Sequence, residues 1–168
     1  MAATAILVSI RSLANFANVL MELLETVVPR WFSSKLHLDG LSGLDDISRK
    51  MIMLGMVLWL PVAIVLFIGS ESITSFVLGV KYAQYHQILL ISWISIGMYF
   101  LVKVFGVRFR TQSITRNELA GSVVGMIAVV TIVTPMMAFW GLYGAAWGYI
   151  VIPTAIYLGQ RLFVRFAL

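Results

Sequence analysis

The sequence predicts an all-α protein, a polytopic transmembrane bundle of about five helices. Three observations predict it. Of 168 residues, 61% are hydrophobic and 11% charged, with a mean hydropathy of +0.97; soluble domains run nearer half apolar and a quarter charged. The apolar residues gather in runs of about twenty, the length a helix needs to cross the hydrocarbon of a bilayer. Most of the charges stand at the ends of those runs. A soluble globule of this length has no way to bury so much apolar surface, whereas a bilayer solvates it and obliges the backbone to satisfy itself within helices.

The first apolar run, residues 5–28, is the unusual one. It carries Arg11, Asn15, Asn18, Glu22 and Glu25. At about 100° per residue these five fall within roughly 40° of one line, and Leu13, Phe16, Leu20, Leu24 and Val27 fall opposite. It is not a convincing signal peptide, because no positive segment precedes it and Arg11 interrupts it. The polar segment 29–50 follows and reads as a cytoplasmic loop. Gly40 and Gly43 mark turns in it, while Leu41, Leu44 and Ile47 recur at helical spacing and predict a short surface helix that Asp45 and Asp46 help to start.

The second span, 51–70, contains Pro61, which a membrane helix accepts when neighbours satisfy the freed carbonyl. A link over 70–87 carries His86, expected to be solvated, and leads to the third span, 88–107. Ser95, Tyr99 and Lys103 share a side of that span, and Lys103 is expected to snorkel to the interface. After a basic link over 108–117 comes the fourth span, 120–140. A tight glycine turn at Gly141 and Gly144 joins it to the fifth, 142–163, which holds Pro153. The pairs Gly121/Gly125 and Gly144/Gly148 permit close helix approach. A weaker stripe of Tyr143, Trp147, Thr154, Tyr157 and Arg161 runs along the last span, interrupted by Ile150. The whole of 1–168 reads as a single transmembrane domain.

Basic residues orient the bundle. With the 29–50 loop inside, Arg30, Lys35, Arg49, Lys50, Arg108, Arg110, Arg116, Arg161 and Arg165 share the inner side and Lys81 stands outside. That bias predicts an external N-terminus and a cytoplasmic C-terminus. An external Met1 with no cleavable signal predicts in turn that helices precede this chain, making it a fragment or a half-transporter. The formal charge of +5 is spread over helix ends and forms no patch for nucleic acid, and the absence of cysteine excludes a disulfide framework or a thiolate metal site. No cofactor or metal is expected.

Three ordered patterns carry a family resemblance. The first helix ends in Thr26-Val-Val-Pro29-Arg-Trp-Phe-Ser33. The second span is followed by Ser72-Ile-Thr-Ser-Phe-Val-Leu-Gly79-Val-Lys-Tyr82-Ala83, then Gln87-Ile-Leu-Leu90. The last hairpin carries Gly141-Leu-Tyr-Gly144-Ala145-Ala146. In this order and spacing they resemble the C-terminal half of the polysaccharide exporters, the O-antigen type flippases of the multidrug/oligosaccharidyl-lipid/polysaccharide exporter superfamily. The chain departs from that pattern at Leu78, where Phe usually precedes the glycine, and at Tyr85, where Ala is usual.

The resemblance implies five helices of one lobe of a two-lobe flippase in the inner membrane. It implies a role in polysaccharide biosynthesis and export: flipping a polyprenyl-diphosphate-linked oligosaccharide, with this chain as a partial transporter completed by missing N-terminal helices or another membrane subunit. On that reading Arg11, Asn15, Asn18, Glu22, Glu25 and Tyr157 line a central cavity. Arg11 would hold the diphosphate, the asparagines would bond sugar hydroxyls, and the glutamates would balance charge or carry a coupling proton or cation. The residues leave other readings open. The charges could pair with partner helices or snorkel, or the first helix could lie flat at the interface. A multidrug or cation exporter of the same superfamily, a membrane-embedded glycan-processing enzyme and an accessory subunit are the alternatives. An enzyme is disfavoured because the outer links are short and the two histidines, His37 and His86, fall on opposite sides.

Overall fold

The computed structural model describes the backbone of residues 2–166 and the side chains of 6–162 apart from Arg11, 13–21, 23 and 24. Between Ala2 and Phe166 every residue is helical except Gly79 and the turn Gln112–Ile114, and there is no strand among the described residues. The elements are α1 (Ala2–Leu78), a 3-10 segment (Val80–Tyr85), α2 (His86–Thr111), α3 (Thr115–Ala128), a π turn (Val129–Val133) and α4 (Thr134–Phe166). The all-α expectation holds, but among the described residues there are four α-helices where about five were expected. The reason lies in two glycines.

Gly40 stands inside α1 with φ 65° and ψ −148°. That left-handed region costs an L-residue about 1–2 kcal/mol and costs glycine little, so the chain reverses there without unwinding on either side. Packing shows the reversal. Phe32 and Val28 meet Leu44 and Met51 in one buried cluster, and Ile10 meets Leu66 in another. Partners move away from Gly40 in step, as the arms of an antiparallel hairpin must. The expected loop 29–50 is therefore helical on both sides of a single-residue corner. Exposed pairs Lys35–Asp39 and Asp46–Lys50, each 2.7 Å, bracket it at i,i+4 spacing. The hydrogen bond from Lys35 holds that ammonium above its ordinary pKa, and the bond from Lys50 holds the Asp46 carboxyl below its own.

Gly141, at φ 55° and ψ −123°, plays the same part in α4. The helix C-terminal to it folds back along α3 and the π turn. Gly144 abuts the Met136 carbonyl, Gly148 abuts Val133, Gly125 abuts Ile156, and Gly121 abuts Gln160. The two small-residue pairs thus lie in one interface, where missing β-carbons let backbones approach. The expected single helix over 120–140 is interrupted by the π turn, where Thr134 Oγ1 donates to the Val129 carbonyl at 3.0 Å.

Helix α2 is the central element. Of its most apolar stretch 44% is buried, against 11% in α1 and 17% along α3–α4. It runs antiparallel to the second arm of α1. Gly55 faces Phe100, Trp59 covers Gly97, and the Trp59 indole N–H donates to the Trp93 carbonyl at 3.1 Å. His86, expected to be solvated, is half-buried at the start of α2, with Nδ1 3.0 Å from the Ala83 carbonyl.

The outer surfaces of α1 and α3–α4 are apolar: Phe67, Ile68, Phe76, Met126 and Phe139 are each more than 70% exposed. Among the described residues three helical stretches, Glu25–Leu78, Val80–Thr111 and Thr115–Leu162, are long and apolar enough to cross a membrane. In water such a surface would drive aggregation; in lipid it is the expected exterior. The chain is a membrane protein. Its antiparallel packing gathers Arg49, Lys103, Arg108, Arg110 and Arg161 with the Gly40 corner at one end, while Lys81 lies at the other, within the 3-10 segment.

Candidate functional site

The polar line of the first helix divides at the limits of the described residues. Arg11, Asn15 and Asn18 lie outside the described side chains. Glu22 and Glu25 are described. The hairpin register sets Glu22 about one turn inside the level where the apolar run 51–70 begins, and its side chain is exposed. Among the described residues it has no ion-pair partner.

Glu25 is half-buried and accepts from Lys103 Nζ at 2.5 Å; Arg110 NH2 stands 3.9 Å from the same oxygen. Arg110 Nε lies 3.5 Å from Glu118 Oε2 at the start of α3. Lys103 and Arg110 are seven residues apart and so share a face of α2. Between them Gly106 leaves space for the Glu118 carboxyl, whose nearest oxygen would stand 3.4 Å from a β-carbon there. The network thus ties α1, α2 and α3 together, and Lys103, expected to snorkel freely, is held in an ion pair. With side chains 43% and 34% exposed, the Lys103–Glu25 pair is screened and contributes about 0.2–1 kcal/mol.

Tyr157 lies elsewhere. Its ring meets Phe105 edge-on, with centroids 5.4 Å apart. Phe105 and Lys103 project from opposite sides of α2, because two residues turn a helix by about 200°. The central helix therefore separates Tyr157 from Glu25. Beside it the Arg161 guanidinium lies 4.9 Å from the Phe105 ring centre and 5.6 Å from that of Tyr157.

That second face of α2 opens a groove of about 1020 Å³ at the basic end of the bundle. Asp45, Ser48 and Arg49 line it from α1, Phe105 and Arg108 from α2, Asn117 from α3 and Arg161 from α4. Arg108 bonds Asp45 at 2.6 Å. The groove owes its shape to the end of α2. Gln112, Ser113 and Ile114 donate backwards to the carbonyls of Arg108, Arg110 and Phe109, closing the helix with Ser113 at φ 58°, a position usually held by glycine. Helix α3 then starts at Thr115, with Ile114 at its N-cap position and no side-chain cap.

Sequence reading missed this groove. Its arginines stand on three helices far apart in the chain and read individually as interfacial anchors, and nothing in the spacing of Arg49, Arg108 and Arg161 foretells that they converge. Among the described residues no group of histidine and acidic side chains could hold a metal ion. Comparison with protein-family models, with curated proteins and with solved structures finds no match for the chain.

Proposed function

We propose that this chain is part of a flippase that moves a polyprenyl-diphosphate-linked oligosaccharide across the cytoplasmic membrane. The observation that carries the reading is Glu22: an exposed carboxylate beside an apolar run, one turn from a Glu25 that is anchored to Lys103. An ionised group costs about 2.5–3.5 kcal/mol against lipid at the centre of a spanning helix and less toward its ends, so a carboxylate one turn inside the apolar run favours water or a partner helix over lipid. On this reading the same line continues through Asn18, Asn15 and Arg11 and borders a water-filled path. Arg11 holds the diphosphate, and Glu25 and Lys103 neutralise each other and fix the helix that presents it. The basic end faces the cytoplasm, in keeping with the positive-inside bias. Further helices, preceding this chain or on another subunit, complete the second wall of the path.

The test is flipping of a fluorescent polyprenyl-diphosphate glycan in vesicles containing the transporter, compared with Arg11→Ala, Glu22→Ala and Arg11→Lys. Both alanine variants are expected to lower the rate at least tenfold, and the lysine variant to keep part of it because the charge survives. Wild-type rates in both alanine variants remove the site. Transport of organic cations in place of the anionic lipid overturns the substrate and favours the exporter reading.

A further inference from the structure

The groove at the basic end has features that the transport path does not use. Three arginines from three helices line it, and Asp45 is the only carboxylate in the lining. Two positive charges are therefore left without a counter-charge inside it. Each arginine is held differently. Arg108 is fixed by Asp45. Arg161 rests against the rings of Phe105 and Tyr157, an arrangement that engages the face of the guanidinium and leaves its edge N–H groups for an acceptor. Arg49 is exposed and makes no ion pair among the described residues.

Two further donors point the same way. Asn117, 3% exposed, lines the groove in the first turn of α3. The start of α3 has no capping side chain, so its positive dipole end borders the same space. The remaining wall is apolar where it meets the apolar run of α1: Ile52 and Met53 line the groove, and Met53 is 60% exposed on the bundle surface. Guanidinium groups within, an apolar lip leading out to lipid, and a position where the apolar run of α1 begins together match an amphiphile with a phosphate head.

We propose that this groove is a binding site for an anionic phospholipid of the surrounding leaflet, with its phosphate on Arg49, Arg108 and Arg161 and one acyl chain over Met53. The site is independent of the charged line on α1 and stands whether or not the chain transports a lipid-linked glycan. By bridging α1, α2 and α4 the lipid fastens the two hairpins to the central helix at their basic end.

The experiment mixes detergent-purified protein with phosphatidylglycerol or phosphatidylcholine and counts retained lipid by native mass spectrometry. Wild-type protein is expected to retain phosphatidylglycerol at least fivefold better. Arg49→Gln and Arg161→Gln are each expected to lower phosphatidylglycerol retention about fivefold and leave phosphatidylcholine unchanged. Lys81→Gln, at the opposite end, is the control and should change neither. Because Arg49 is exposed and unpaired, its replacement tests the site without disturbing the fold. Equal retention of the two lipids, or wild-type retention in both arginine variants, overturns the proposal. Inorganic phosphate or glycerol phosphate displacing the lipid at low millimolar concentration would also overturn it, in favour of a site for a soluble phosphate ester.

Discussion

Gly144→Ala puts the second hairpin to its most severe test. A β-carbon at Gly144 would stand 2.0 Å from the Met136 carbonyl oxygen and 2.4 Å from its carbon. Heavy atoms in ordinary contact sit roughly 3.5–4.0 Å apart, so the two arms must separate by more than an ångström. The obstacle is helical backbone, which cannot swing aside as a side chain would. Separation also strips Val133 from the space beside Gly148, where its methyl would lie 2.6 Å from a β-carbon. Overpacking costs about 1–3 kcal/mol, and this site belongs at the top of that range, near 3 kcal/mol. Gly141→Ala is the matched comparison. A β-carbon there meets nothing within 4 Å, and only the φ of 55° resists it, a cost of about 1–2 kcal/mol. Both are measured by SDS-driven unfolding of the detergent-solubilised protein, followed by tryptophan fluorescence with Trp140 and Trp147 near the turn. The steric variant should be the less stable of the two. A Gly144→Ala protein within about 0.5 kcal/mol of wild type would mean that α4 does not fold back along α3 in this register.

Ser113→Gly should stabilise the protein by about 0.5–1 kcal/mol, because it relieves a non-glycine residue at φ 58°; an unchanged unfolding midpoint would argue against the left-handed closure of α2. Trp59→Phe keeps most of the packing over Gly97 but removes the donor to the Trp93 carbonyl, for an expected loss of about 1 kcal/mol in the same assay. Glu25→Gln should cost no more than about 1 kcal/mol at moderate salt, and the difference from wild type should shrink as salt is raised; a large salt-independent loss would show the Lys103 pair to be buried from solvent.

The parts of this architecture readable from the linear chain are those governed by local chemistry. Long apolar runs bounded by basic residues announce membrane helices, because no other environment solvates them. Gly141 and Gly144 between two such runs announce a turn. The expectation of a loop over 29–50 failed for an instructive reason. The spacing of Leu41, Leu44 and Ile47 predicts only one short surface helix there, yet Lys35, Asp39, Asp46 and Lys50 also stand at i,i+4 spacing and support helix on both sides of Gly40. One glycine with positive φ is enough for the corner. The π turn at Val129–Val133 left no compositional trace either, since its residues are as apolar as those of the helices it joins.

For the candidate site the division is sharper. Helical periodicity aligns Glu22 with Glu25 from residue numbers alone, because both stand on one helix whose geometry is known in advance. Whether Glu25 meets Lys103, and whether Tyr157 joins that line or turns toward Phe105, depends on how helices are ordered around α2. Periodicity says which residues share a face and nothing about which neighbour that face receives. Helix class and apolar exterior are local sums over the chain, and composition sets them. The ion-pair network joining α1, α2 and α3 and the three-arginine groove are contacts between distant segments. They exist because glycine corners at 40 and 141 return the chain antiparallel on itself and bring those segments to the same depth.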